Sequence, residues 1–125
     1  MFIRNYAVYI YNMNIEFLEN WKSQTKKGLI TLLVLKIIKT KSCYGGEIIK
    51  EIKANFGFEI AEGTLYPILK KLKMQKLVMT NWKTEENDIG APKKFYMLTG
   101  EGRVMLRNMD EFWSNLNSSM YAVAS

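Results

Sequence analysis

Apolar positions along the chain follow a helical period up to Leu77 and an alternating one beyond it, before the helical period returns near the C-terminus. Asn14 is a fit cap for a short helix carrying Phe17, Leu18 and Trp21 on one side. The run "GLITLLVLKII", Gly28 to Ile38, lies within a second helix from about Lys26 to Lys39. Thr31 and Lys36 interrupt the run and it is too short to span a bilayer, so it reads as a buried central helix. Ser42 is positioned to cap a third helix, with Tyr44, Ile48, Ile49 and Ile52 as its apolar stripe, and "ANFGF" ends it at Gly57.

The fourth segment, "EGTLYPILKKLKMQKLV", is a helix that carries its own weaknesses. Leu65, Ile68, Leu69 and Leu72 make one apolar face, while Gly63 and Pro67 stand on the opposite side. Inside a helix a glycine costs about 1 kcal/mol and a proline about 3 kcal/mol. In a second reading Gly63 and Pro67 mark a turn and the helix begins after them, since proline is common in a first helical turn.

After Leu77, "LVMTNWKT" and "KKFYML" read as two strands joined by the polar loop "EENDIGAP", a β-hairpin with a long tip. Thr99 is the expected N-cap of a last helix in which Leu106, Met109, Trp113, Leu116 and Met120 repeat at helical spacing, with Met105 and Phe112 beside them. This is more apolar surface than a small domain absorbs, so it calls for a partner; the bland alternative is packing within the chain.

Four helices, a hairpin and a final helix are the layout of a winged helix-turn-helix, mainly α with a small β-hairpin wing. Residues 14–98 are the expected DNA-binding domain and 99–125 a C-terminal dimerisation helix and tail. "MFIRNYAVYIYN" reads as a mobile extension covering residues 1–13, and Met13 serves equally as a translation start.

Composition narrows the function. The 125 residues are 48% hydrophobic and 24% charged, as for one globular domain. Fifteen Lys and three Arg against 12 acids give a net charge of +6, which suits a polyanionic partner or an anionic membrane surface. With no His and a single cysteine, Cys43, a His-based triad, an internal disulfide and the usual zinc sets are excluded, and a cytoplasmic protein without metal or cofactor is expected. An enzyme has no credible constellation to work with.

The segments "YGGEIIKEI", "EGTLYPILKKL" and "APKKFYMLTGEGR" resemble the PadR family of bacterial transcriptional regulators, over roughly Asn14 to Met120. The resemblance implies a sequence-specific regulator of double-stranded DNA, a homodimeric repressor on a pseudo-palindromic operator. It further implies that the last helix packs on its copy and on the first helix, through Phe17, Leu18, Trp21, Leu106, Met109, Phe112, Trp113, Leu116 and Met120. Ala61 departs from the family, which more often places a capping Ser or Asn there.

In a helix-turn-helix the recognition helix enters the major groove by its N-terminal turns. Gly63, Thr64, Tyr66, Lys70 and Lys71 are the candidates there: Gly63 lets the backbone approach DNA, and Pro67 releases the Gly63 carbonyl from its usual helical bond. Ser42, Tyr44 and Gly45 stand at a helix N-terminus suited to a phosphate, though Tyr44 reads equally well as core. At least one of Lys93 and Lys94 should point outward to DNA; paired lysines also serve as a solvated edge that discourages aggregation. Met109, Phe112 and Trp113 are candidates for a small aromatic effector, as some PadR members sense such compounds at the dimer interface, against the reading that Trp113 serves packing alone. Cys43 is an ordinary small residue or, less in keeping with its setting, an oxidant sensor. The alternative function is a winged-helix protein-interaction module with a basic surface and no DNA operator.

Overall fold

A computed structural model describes residues 2–84 and 90–124. The expected hairpin-tip residues 85–89 lie outside the described residues. Four helices and three short strands follow in the order α1 (Phe2–Thr40), β1 (Cys43–Tyr44), α2 (Gly45–Phe56), α3 (Glu62–Met74), β2 (Val78–Lys83), β3 (Lys93–Leu98) and α4 (Gly100–Ala124).

The chain divides into two compact units, one up to Ile30 and one from Thr31 onward. The first is helix alone. Tyr6, Tyr9, Tyr11, Phe17 and Trp21 are all more than half exposed on it. The two N-terminal helices expected from the sequence are therefore one continuous α1 that starts before Asn14, so Asn14 is a mid-helix residue and not a cap. Within it the Thr25 hydroxyl donates to the Trp21 carbonyl at 2.8 Å, the i−4 bond open to a threonine in mid-helix.

The second unit holds the core. Leu32, Val34, Leu35, Ile37 and Ile38 of α1 are buried, as are Ile48 and Ile52 of α2 and Leu65, Leu69 and Leu72 of α3. Val78, Phe95, Tyr96, Leu98 and Leu106 complete the set. The sheet order is β1-β3-β2, with all pairs antiparallel, so the central strand is β3 and both of its faces are covered at Phe95 and Tyr96. The two-residue β1 was not expected from the sequence. Pairing of Cys43 with Tyr96 and of Tyr44 with Phe95 keeps these residues extended, which moves the N-cap of α2 from the expected Ser42 to Tyr44. The Tyr44 N–H donates to the Glu47 carboxylate at 3.4 Å, half of a capping box.

Helix ends follow local chemistry elsewhere. Gly57 stops α2 in the left-handed region at φ 72°, donating its N–H to the Lys53 carbonyl. At the end of α3, Lys76 adopts φ 59°, its N–H bonds the Lys73 carbonyl, and the Leu77 N–H reaches the Leu72 carbonyl, a Schellman stop with lysine where glycine is usual. Thr99 caps α4 as expected: its hydroxyl accepts the Gly102 N–H at 2.9 Å and donates to the Lys76 carbonyl at 2.6 Å. The same threonine thus closes one helix and opens another. A Cβ on Gly102 would collide with the Leu77 carbonyl oxygen, so only glycine lets α4 begin this close to the base of the wing.

Thr99→Ala should lower folding stability by about 1–2 kcal/mol, as loss of an N-cap does. Urea denaturation should show an earlier midpoint with an unchanged slope.

Candidate nucleic-acid interface

The N-terminus of α2, the first turns of α3 and the distal wing surround one open groove of about 580 Å³. Tyr44, Gly45, Gly46, Glu62, Tyr66, Trp82, Lys93, Lys94 and Tyr96 line it. Five of these nine, Tyr44, Gly45, Tyr66, Lys93 and Lys94, are among the residues singled out from the sequence. They come from three separate segments that only the fold brings together.

Helix α3 runs through Gly63 and Pro67 unbroken, so the reading that starts it after Pro67 is overturned. The Thr64 and Leu65 N–H groups both bond the Ala61 carbonyl at 3.0 Å, while Ala61 itself makes no side-chain cap. Leu65 and Leu69 are completely buried; Gly63, Thr64, Tyr66, Pro67, Lys70 and Lys71 are exposed. A Cβ at Gly63 would meet nothing within 4 Å, as expected of a helix face with an open approach. Pro67 has no N–H to offer the Gly63 carbonyl, which leaves an acceptor on this face.

Tyr66 ties α3 to α2. A Cβ at Gly45 would stand 2.5 Å from the Tyr66 hydroxyl oxygen and 2.8 Å from its ring carbon Cζ. Glycine at position 45 is thus a condition for seating the tyrosine, which still leaves 44% of Tyr66 exposed. Tyr44 is half-buried, meeting Phe95 edge to face at 5.4 Å between ring centroids, so it packs against the sheet and also lines the groove. Ser42 is half-buried outside the groove lining, its hydroxyl accepting from Lys83 Nζ at 3.2 Å.

The wing gathers three lysines over aromatic rings. Lys83 Nζ stands 4.2 Å from the Phe95 ring centroid, Lys93 Nζ 4.3 Å from that of Tyr44, and Lys94 Nζ 5.9 Å from that of Tyr96. Pairing in the hairpin sets Lys83 directly opposite Lys93 on one face and Trp82 opposite Lys94 on the other. Like charges directly opposite destabilise a sheet. Cation–π contact offsets part of that cost, and an anion placed across the wing would offset more. Lys83 and Trp82 were missed from the sequence, although the alternation of "TNWKT" against "KKFYML" marks them as neighbours of the lysine pair.

Burial at zero exposure, with the Glu47 charge adding to it, pushes the Cys43 thiol up to about 11. Folding thereby favours the protonated thiol, a contribution complete below the unfolded value near 9 and lost as pH rises toward about 11. This environment suits a small core residue and opposes an oxidant sensor, which needs an exposed thiolate.

Met109 lines a groove of about 340 Å³ with Leu35, Ile68, Lys71, Leu72 and Met105, among others. Phe112 is 70% exposed and Trp113 half-buried further along α4. Among the described residues, no group of three acids or cysteines is placed to hold a metal ion, and no helix is long and apolar enough to cross a membrane.

The PadR-like family of transcriptional regulators matches residues 34–108, and the chain belongs to that family. An uncharacterized protein from Lysinibacillus sphaericus is 30% identical over 97 residues, covering 76% of this chain and 87% of its own. A PadR-like transcription factor structure from Bacteroides fragilis is similar with a TM-score of 0.68 and 32% identity, over 83% of this chain and 98% of that one. A PadR family regulator structure from Eggerthella lenta reaches a TM-score of 0.77 at 25% identity, over 90% of this chain and 96% of that one. The fold is accordingly a PadR-like winged helix, and the protein is a DNA-binding transcriptional regulator rather than an enzyme.

At neutral pH an alkylating reagent should modify native Cys43 far more slowly than a free thiol, because the side chain is fully buried and only an accessible thiolate reacts. In urea the rate should rise to that of an unstructured cysteine, which mass spectrometry of timed samples would follow.

Proposed function

We propose that this regulator is a cytoplasmic homodimeric repressor that holds a pseudo-palindromic operator in duplex DNA and releases it when a small aromatic effector binds. The observation that carries the DNA face is the convergence of the α2 N-terminus, Tyr66 of α3 and the lysines of the wing on one groove. Thr64 and Tyr66 read bases from the first turns of α3, with Gly63 allowing close approach. Lys70 and Lys71 follow on the same exposed helix and meet phosphate. Lys93 and Lys94 hold the flanking backbone, and Ser42, Tyr44 and Gly45 present the α2 N-terminus to another phosphate.

Dimerisation uses the apolar surface that the chain leaves uncovered. On α4, Leu106 is buried within the chain, whereas Phe112, Leu116 and Met120 are 70%, 41% and 49% exposed. On α1, Phe17, Leu18 and Trp21 are 75%, 40% and 57% exposed. Such a run of large side chains on two helices favours coverage by a second copy, with α4 against its counterpart. A planar aromatic effector inserted between the paired α4 helices at Met109, Phe112 and Trp113 changes their separation, and with it the spacing of the two α3 helices. The alternative, a protein-interaction module with a basic surface, separates from this reading by salt: DNA binding falls steeply with ionic strength as counterions are released.

Operator DNA recovered from a random duplex pool should bind with such a slope. Lys93→Ala and Lys94→Ala should weaken operator and random DNA about equally and flatten the salt slope by roughly one unit for each phosphate left without its lysine. Thr64→Ala and Tyr66→Ala should instead reduce discrimination between the two DNAs; equal losses on both in all four variants would refute the division of roles.

Paired charges in the seam, Trp113→Asp with Leu116→Asp, should yield a monomer by light scattering at micromolar concentration and weaken operator binding sharply. A monomeric unmutated protein under the same conditions would count against the dimer.

A panel of planar aromatic compounds should include members that quench tryptophan emission and release the operator. By linkage, operator must weaken their binding by the same factor. Equal release from a Trp113→Ala dimer would remove Trp113 from the effector site.

A further inference from the structure

Trp82 has an unusual position for a tryptophan in a small hairpin. Its face of the wing is set by pairing: Val78, Thr80 and Trp82 lie opposite Leu98, Tyr96 and Lys94. Val78, Tyr96 and Leu98 are buried, so this is the face the sheet turns toward the core. Two residues beyond Thr80 the core has ended, and Trp82 carries the same face out over the groove, 65% exposed, beside Tyr66 and Lys94. An indole left in water at this point contributes little to folding. Its surroundings are cationic and aromatic, with Glu62 the one acid in the groove lining among the described residues.

We propose that Trp82 is itself a DNA-contact residue, its indole lying against the deoxyribose wall of the duplex while α3 occupies the major groove. The chemistry of the two surfaces matches. A deoxyribose edge between phosphates is an apolar strip flanked by anions, and Trp82 is an apolar plate with Lys94 opposite it in the hairpin and Lys93 on the same groove. The indole N–H adds one donor for a phosphate oxygen. Trp82 therefore supplies contact area that the lysines, acting as point charges, do not, and holds the wing at a fixed depth against the duplex.

This inference rests on the DNA-binding reading, and the two fail differently. Binding of the selected operator is measured by fluorescence anisotropy across a salt series for the unmutated protein, Trp82→Ala, Trp82→Phe and Lys94→Ala. Trp82→Ala should bind about tenfold more weakly with an unchanged salt slope, since an apolar contact releases no counterions, whereas Lys94→Ala should flatten the slope. Trp82→Phe should keep part of the affinity. Acrylamide quenching gives a readout that a structural role would not move: DNA should shield a fraction of the emission in the unmutated protein, and that shielding should vanish in Trp82→Phe. Tight operator binding by Trp82→Ala, or DNA shielding that persists in Trp82→Phe, overturns the inference and leaves the DNA-binding reading intact. Failure of the unmutated protein to bind duplex overturns both.

Discussion

The wing and the last helix depend on a meeting point with no room for a side chain. The Leu77 carbonyl accepts the Thr99 N–H at 3.1 Å and stands where a Cβ of Gly102 would be. The Leu77 N–H completes the stop of α3 by bonding the Leu72 carbonyl. One residue therefore fixes the end of α3, the base of the hairpin and the start of α4. Thr99 adds a second tie through the Lys76 carbonyl, across a left-handed lysine that a regular helix would not hold. Because backbone groups make most of these contacts, the geometry depends little on which side chains decorate the outer face of α3.

Elements whose ends carry their own chemistry were legible in the sequence. Gly57 and Thr99 act where they were expected, and the hairpin strands follow their alternation, because each signal is local: a left-handed residue, a hydroxyl cap, a period of two. Elements decided by tertiary pairing were not legible. Cys43 and Tyr44 are a strand only because β3 lies beside them, and two residues have no period to read. Once they pair, Ser42 stands two residues too early to cap α2 and turns instead toward Lys83. The continuity of α1 was missed for the opposite reason: the polar stretch around Thr25 and Gly28 resembles a boundary, yet one glycine costs only about 1 kcal/mol and does not end a helix whose flanks both favour it.

The candidate site was legible as residue types and illegible as geometry. Gly45 was read as a place for phosphate to approach a helix N-terminus; it also supplies the space in which Tyr66 rests. The two uses are compatible, since the glycine lacks a side chain on the one side while its N–H belongs to the helix end. The lysine pair shows the same limit. Adjacent in sequence, Lys93 and Lys94 point to opposite faces of β3, one against Tyr44 and one toward Tyr96, and only the register reveals that Lys83 and Trp82 are their cross-strand neighbours.

Within the second unit, the base of α4 is tied to the wing through Thr99 and Gly102, and its middle to α1 through the Lys36–Asp110 ion pair at 2.6 Å. Both partners of that pair are partly exposed, so by itself it contributes little to stability. Its value is geometric, because two ties at different heights fix the direction of a helix where one would let it pivot. The groove shared by α1, α3 and α4 lies between these ties, lined by Met105 and Met109 on one side and by Ile68 and Leu72 of α3 on another. Methionine adapts its shape at small cost. Ile68 and Leu72 thus turn the inner side of α3 to this groove, while Thr64 and Tyr66 of the same helix stand exposed on its other side.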